Sequence, residues 1–281
     1  MKDHEEVTKK SKIIRRNRII AGVCAVAVLG TAFFAVNKIA NKRKSAIVNA
    51  ANAANEKKES ENKTKNQVSK EEKSVPAGAY KPWSAKRTDG KKVAYLTFDD
   101  GPSPNTTKIL EILNKNNIKA TFFLIGQNAE RNPELVKKEI AAGNVVGNHT
   151  YSHQLNYKEG PQKFVEDLDR GNAAIKSVIG DKYDSKLIRF PGGSFGNRLA
   201  PFRDAVTKAG YHYVDWNDET GDAEHSNVPV EALLSNLKKY TNSDTVVILM
   251  HDAGAKVTSV QALPQVIDYL KSKGYTFDTL K

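Results

Sequence analysis

One cysteine stands among 281 residues, and that scarcity removes two kinds of chemistry at once. Cys24 has no second thiol to pair with, so the chain closes no internal disulfide and builds no cysteine-based zinc site. Gly-x-Gly-x-x-Gly and the P-loop are both missing, so a nucleotide-binding α/β protein lacks its signature here. No internal repeat is present. Large apolar residues are almost missing from residues 41–79, which are rich in Asn, Lys, Glu and Ser. Such a segment cannot bury enough surface to offset its ordering entropy and reads as a polar linker, with partial helix left open by its Ala and Glu content. Acidic residues are short only at the front: residues 1–79 carry 17 Lys+Arg against 8 Asp+Glu, residues 80–281 carry 27 against 24. The net charges are therefore +9 and +3, and the folded part offers no strong basic field for a nucleic-acid partner.

Long uncharged runs are likewise scarce, and the one that exists has a defined place. Ile19 to Val36 holds 18 residues without charge, and Ile39 and Ala40 extend it to the length that crosses a bilayer. Lys9, Lys10, Lys12, Arg15, Arg16 and Arg18 precede it; Lys38, Lys42, Arg43 and Lys44 follow. The reading is a basic cytoplasmic tail over 1–18, a transmembrane helix over 19–40, a linker over 41–79 and a folded domain over 80–281 that begins near Tyr80, Pro82 and Trp83. A cleaved signal peptide is the rival, opposed by the long charged leader and the lack of a small-x-small site. Lipidation at Cys24 fits poorly because most of the apolar segment follows it. A buried soluble helix fits no better, since the run has no polar face for water.

Beyond residue 91 short strands alternate with helical stretches. Val93–Phe98, Thr121–Ile125, Val145–Val146, Leu187–Phe190, Tyr211–Asp215 and Thr245–Met250 read as strands. Thr106–Asn116, Pro133–Ala142, Phe164–Ile179, Ala200–Ala209, Val230–Tyr240 and Leu263–Lys273 read as helices. Repeated βα units imply a parallel sheet covered by helices, either a barrel or an open doubly wound sheet.

The chemistry gathers at the strand ends. Thr97-Phe98-Asp99-Asp100-Gly101 closes the first strand. Successive strand residues face opposite ways, so Asp99 and Asp100 share a site only if the chain is already leaving the strand, an exit that Gly101-Pro102 favours. Taken alone, the run is equally a capped turn. His149 and His153 stand four apart, a spacing that on a helical turn puts both imidazoles on one side. With one carboxylate they make three protein ligands and leave open positions, the pattern of a catalytic metal site. Asn148 and Thr150 are unassigned neighbours. Arg189-Phe190-Pro191-Gly192-Gly193, Asp215-Trp216 and Leu249-Met250-His251-Asp252 also fall at strand ends, which converge on one face of a parallel sheet.

In that order TFDDG, HxxxH, RxPxG, DW and LxH resemble the motifs of the polysaccharide deacetylase (NodB-homology) family, carbohydrate esterase family four, over residues 90–281. The resemblance implies a distorted (β/α)7 barrel. It further implies Asp99 as catalytic base, Asp100, His149 and His153 as metal ligands, and His251 as general acid. Arg189 would hold the base and Asp215 would tune the acid, while Trp216 and Leu249 line a pocket for the acetyl methyl. The implied cofactor is one divalent ion, zinc first, then cobalt, nickel or manganese. The implied substrate is an N-acetylated glycan polymer, and peptidoglycan N-acetylglucosamine is the leading case. Other surface glycans (chitin-like, poly-N-acetylglucosamine or xylan), O-acetyl ester hydrolysis and silent glycan binding are the alternatives. The expected location is the cell membrane, single-pass, with the domain outside; secretion after signal cleavage is the rival.

One departure stands out: the family often has tyrosine where this chain has Gly192, a position expected to give a backbone N–H to the oxyanion. Glycine keeps that N–H. Gly193 is either a flexible joint or a tight turn. His4, His212 and His225 carry no assigned role, and Tyr151, Phe195 and Trp216 can stack on sugar rings or simply pack.

Overall fold

The structure, a computed structural model, describes residues 77–280 apart from 86, 181, 182, 184 and 185. The expected tail, transmembrane helix and nearly all of the linker lie outside the described residues. Among the described residues no helix is long and apolar enough to cross a membrane.

Among the described residues nine strands form one sheet in which every pair is parallel: β1 (Gly78–Ala79), β2 (Lys92–Asp99), β3 (Thr121–Leu124), β4 (Val145–Asn148), β5 (Leu187–Ile188), β6 (His212–Tyr213), β7 (Asp218–Glu219), β8 (Thr245–His251) and β9 (Tyr275–Phe277). The helices between them are α1 (Thr106–Lys115), α2 (Gly126–Arg131), α3 (Pro133–Ala141), α4 (Gly160–Ile179), α5 (Ala200–Lys208), α6 (Val230–Tyr240) and α7 (Val257–Ser272). Strand order is β1-β6-β5-β4-β3-β2-β8-β7, with β9 beside the start of β2. Parallel strands need crossovers, and the helices supply them. β1 and β7 are the two ends and do not pair, so this barrel-like sheet has a seam. The segment after β6 crosses it, Val214 N–H donating to Ile188 O and Asn217 N–H to Val247 O.

Alternation along the strands sorts side chains to two faces. Ala94, Leu96 and Phe98 of β2, with Ile248 and Met250 of β8, pack outward in the main core with Leu113 of α1 and Leu263 of α7. Facing inward, Phe123, Leu187, Val214, Val247 and Leu280 form a smaller plug. β2 pairs with the whole of β8 from Val93 onward, and the last register pair is Asp99 opposite His251. Both therefore leave the same end of the sheet on the same face.

Several boundaries differ from the sequence reading. β1 begins at Gly78, two residues inside the expected linker, because Gly78 and Tyr80 donate to Tyr211 O and Tyr213 O along β6. β1 and β7, two residues each, are too short to show a period. α2 is six residues, less than two turns, and was not expected. α7 starts at Val257, six residues early, because it accommodates Pro264 inside its length.

Candidate active site

Asp99 ends β2, and Asp100 follows with φ 72°, a left-handed turn that swings its carboxylate to the same side as its neighbour. The exit from the strand expected at Gly101-Pro102 thus happens one residue earlier. His149 leaves β4 directly, its N–H donating to Leu124 O. The helical turn expected for His149 and His153 is not there. They are joined by an irregular loop with left-handed Thr150 (φ 66°) and His153 (φ 59°), closed by the His153 N–H donating to Thr150 Oγ1 at 2.8 Å. The two rings still meet, 4.8 Å between centroids. Asn148 pins this loop to α4 through Leu168 O and Asn172.

Asp100, His149 and His153 each point one donor atom at a common space, all within 4.8 Å of one another. His149 Nδ1 sits 2.8 Å from Arg189 O, and a carbonyl only accepts, so Nδ1 carries the proton and the Nε2 lone pair faces Asp100 Oδ1 at 3.6 Å. Burial pushes His149 down to about 3, which keeps it neutral as a metal ligand must be. Asp100 Oδ1 is buried with no hydrogen-bond donor, an orphan that a cation would satisfy. The donor set therefore fits a divalent ion.

Arg189, just past β5, is completely buried and fixed at every nitrogen. Nη1 donates to Asp99 Oδ1 at 2.9 Å and Thr97 Oγ1 at 2.7 Å, Nε to Val214 O, and Nη2 to the backbone O of Asp215. Its plane lies 4.3 Å over Phe123, and that ring in turn covers Gly147, where a Cβ would come within 2.7 Å of it. Burial pushes the Asp99 carboxyl up, and the Arg189 charge pulls it back.

The acid's partner is Asp222 and not the expected Asp215. His251 Nδ1–H donates to Asp222 Oδ1 at 2.8 Å, and the His251 backbone N–H to Asp222 Oδ2 at 2.8 Å. Ser259 Oγ completes the cage at 2.7 Å. Asp215 instead accepts from the N–H and hydroxyl of Ser194, so its carboxylate anchors the loop after β5 and is engaged away from His251. The resemblance points to Asp215 through its DW pair; Asp222, in the polar loop after β7, carries no local mark beyond Gly221 (φ 75°) turning the chain before it. Burial alone would push His251 down, but Asp222, helped by Asp99 and Asp100, lifts it to about 9.

The model of the polysaccharide deacetylase family matches residues 86–214. A peptidoglycan-N-acetylglucosamine deacetylase of Bacillus cereus is 38% identical over 200 residues, 68% of this chain and 71% of that protein. The chain belongs to the polysaccharide deacetylase family. Members are hydrolases that act on carbon–nitrogen bonds other than peptide bonds, and they depend on a metal. Among solved structures, the polysaccharide deacetylase Bc1974 of Bacillus cereus is similar at TM-score 0.62 and 36% identity, covering 68% of this chain and 93% of that one. A CE4 esterase of Streptococcus mutans is similar at TM-score 0.63 and 35% identity, covering 68% and 87%.

The remaining expected residues of this polysaccharide deacetylase take the following places. Leu249 is buried on β8 two residues before His251, hence on the same face, opposite Thr97. Trp216 lies 5.7 Å from the Arg189 guanidinium and edge-on to Phe195, its N–H on Glu219. Gly192 is exposed at a turn with φ 74°, which glycine adopts without strain. His212 packs edge-on to Tyr80 in β6. His225 lies in the loop that Lys256 ties down, donating to Asp222 O and His225 O.

Proposed function

We propose that this polysaccharide deacetylase removes N-acetyl groups from N-acetylglucosamine residues of a cell-wall glycan, peptidoglycan first. The observation that carries the reading is the register pair Asp99–His251: a carboxylate and an imidazole, each with its own tuning partner, flank one three-ligand cluster. We read the curved sheet as the family's distorted (β/α)7 barrel.

Two imidazoles and a carboxylate suit zinc best, with cobalt, nickel or manganese as rivals. Asp100, His149 and His153 would hold a divalent ion, which would supply a Lewis acid for the amide carbonyl and lower the pKa of water toward ~7. Asp99, ionised against Arg189, takes the proton from the attacking water. His251, cationic below about 9, gives a proton to the nitrogen as the carbon–nitrogen bond breaks, leaving acetate and a free amine. An amine departs only when protonated, which is why so firmly held an acid suits an amide. The Gly192 N–H, on a loop braced by Asp215, is assigned to the developing oxyanion, a contact commonly worth ~3–4 kcal/mol. Leu249 and Trp216 are assigned to the walls around the acetyl methyl.

For location we propose a single-pass membrane protein with its domain outside. The apolar run 19–40 and its basic flanks support this, and a linker of about 40 residues reaches roughly 35 Å as flexible coil. Cell fractionation with protease added from outside tests it. The activity is tested by acetate release from N-acetylglucosamine oligomers and peptidoglycan against O-acetylated xylan. Release from xylan alone would replace the deacetylase reading with an ester hydrolase, and glycan binding without any release would leave a silent binding protein.

A further inference from the structure

Trp83 and Trp216 are the only tryptophans in the sequence, and both line one pocket of about 480 Å³, together with Phe195, Tyr213, Asn197 and Lys81. The pocket lies at the seam of the sheet. Trp83 follows β1, Trp216 sits on the segment that crosses from β6 to β7, and Phe195 belongs to the loop after β5. That loop leaves the same strand ends as Asp99, Arg189 and His251, so the pocket lies on the face that carries the catalytic groups.

Phe195 is 55% exposed yet is not a loose side chain. Arg203 Nη1 donates to Ser194 O at 2.7 Å and Gly196 O at 2.8 Å, bracing the residue on both sides, while Asp215 holds the Ser194 N–H. Beneath it Gly193 (φ 85°) has no Cβ, and any Cβ there would strike the Phe195 ring and press on Trp216. The missing methyl lets the two rings close to 5.3 Å at 89°, an aromatic corner with one wall open to solvent. This answers what Gly193 is for: close approach. A phenylalanine left this exposed forgoes part of the burial it could gain. Here Arg203 and Asp215 fix the backbone that carries it in that exposed position.

A pyranose has an apolar C–H face and a rim of hydroxyls, and the pocket presents aromatic walls with Lys81 and Asn197 at its polar edge. We propose that the seam pocket is a second carbohydrate site, which takes a flanking sugar ring of the polymer whose neighbour is being deacetylated. The choice of occupant rests on the glycan substrate proposed above. It makes the enzyme selective for chain length.

The tryptophans report on the pocket directly. Full-length, metal-loaded Asp99→Asn protein is titrated with N-acetylglucosamine dimer through hexamer while tryptophan emission is followed. The expected result is a saturable change with the pentamer and hexamer. Adding Phe195→Ala weakens pentamer binding by about tenfold or more. In the otherwise native enzyme Phe195→Ala raises KM for acetate release by a similar factor on the pentamer and by less than about twofold on the dimer. Equal effects on dimer and pentamer, or none, would overturn the proposal. Acetate release with unchanged emission would keep the activity and reject the pocket. A Phe195-dependent emission change without acetate release would reject deacetylation of these glycans and keep the pocket as a sugar site.

Discussion

Replacing Asp222 by Asn isolates the group that sets the acid. His251 ordinarily titrates near 6.5; burial pushes it down, and the Asp222 carboxylate raises it past that to about 9. Asn keeps the shape of the residue but removes the charge, so burial loses its main counterweight and His251 falls back toward its ordinary 6.5. Near about pH 8 an imidazole titrating at about 9 is roughly nine-tenths protonated, and one at about 6.5 is roughly 3% protonated. The expected loss in kcat/KM at that pH is therefore about thirtyfold, before any loss of aim, and activity recovers as pH is lowered. The sign is fixed by the role: a general acid loses activity as pH rises through its pKa. The assay is a pH profile of acetate release from N-acetylglucosamine oligomers, with metal content measured on each variant. Asp215→Asn is the companion. Its carboxylate holds Ser194, so this change leaves the alkaline limb in place and lowers kcat by loosening the loop that carries Gly192. A limb that moves with Asp215→Asn and stays with Asp222→Asn would refute the assignment.

Asp99→Asn should lower kcat by about 10²–10⁴ while metal content stays whole, because Asp99 is outside the ligand cluster; loss of metal would refute its role as base. His149→Ala should weaken metal binding by more than about a hundredfold, since even a partner behind a ligand is worth about 10–100-fold; full metal content by atomic spectroscopy would sink the ligand set. Gly147→Ala drives a methyl to 2.7 Å from Phe123, the ring that underlies Arg189, and should cost about 1–3 kcal/mol in urea unfolding; an unchanged midpoint would show that the ring has room to move.

What the sequence made legible, and what it did not, follows from how far each signal reaches. Strand and helix types came through because β2, β8, α1 and α6 are long enough to show their period. Asp100, His149 and His153 were identified together because their segments are compact motifs, although the four-residue spacing suggested a helical turn where a left-handed loop does the joining. Asp222 was missed for a different reason. Asp215, Asp218 and Asp222 all lie within one short polar stretch, and only the register of β7 on β8 decides which of them meets His251. That register is tertiary information with no local trace.

The six-residue helix α2, invisible to periodicity, shows why the ligand cluster needs the whole scaffold. Asp100, Thr150 and His153 occupy the left-handed region, where a side chain other than glycine costs about 1–3 kcal/mol of strain. Such strain persists only where neighbours over-determine it. Asn128 Nδ2 of α2 donates to Asp100 O at 2.9 Å, the Gly126 N–H at the start of α2 donates to Thr150 O at 2.9 Å, and the preceding Ile125 N–H donates to Gly101 O at 3.0 Å. One short helix thus clamps the carboxylate loop and the histidine loop to each other. The ligands are held in strained positions by hydrogen bonds that involve none of their coordinating atoms, so the scaffold itself sets the backbone that carries them.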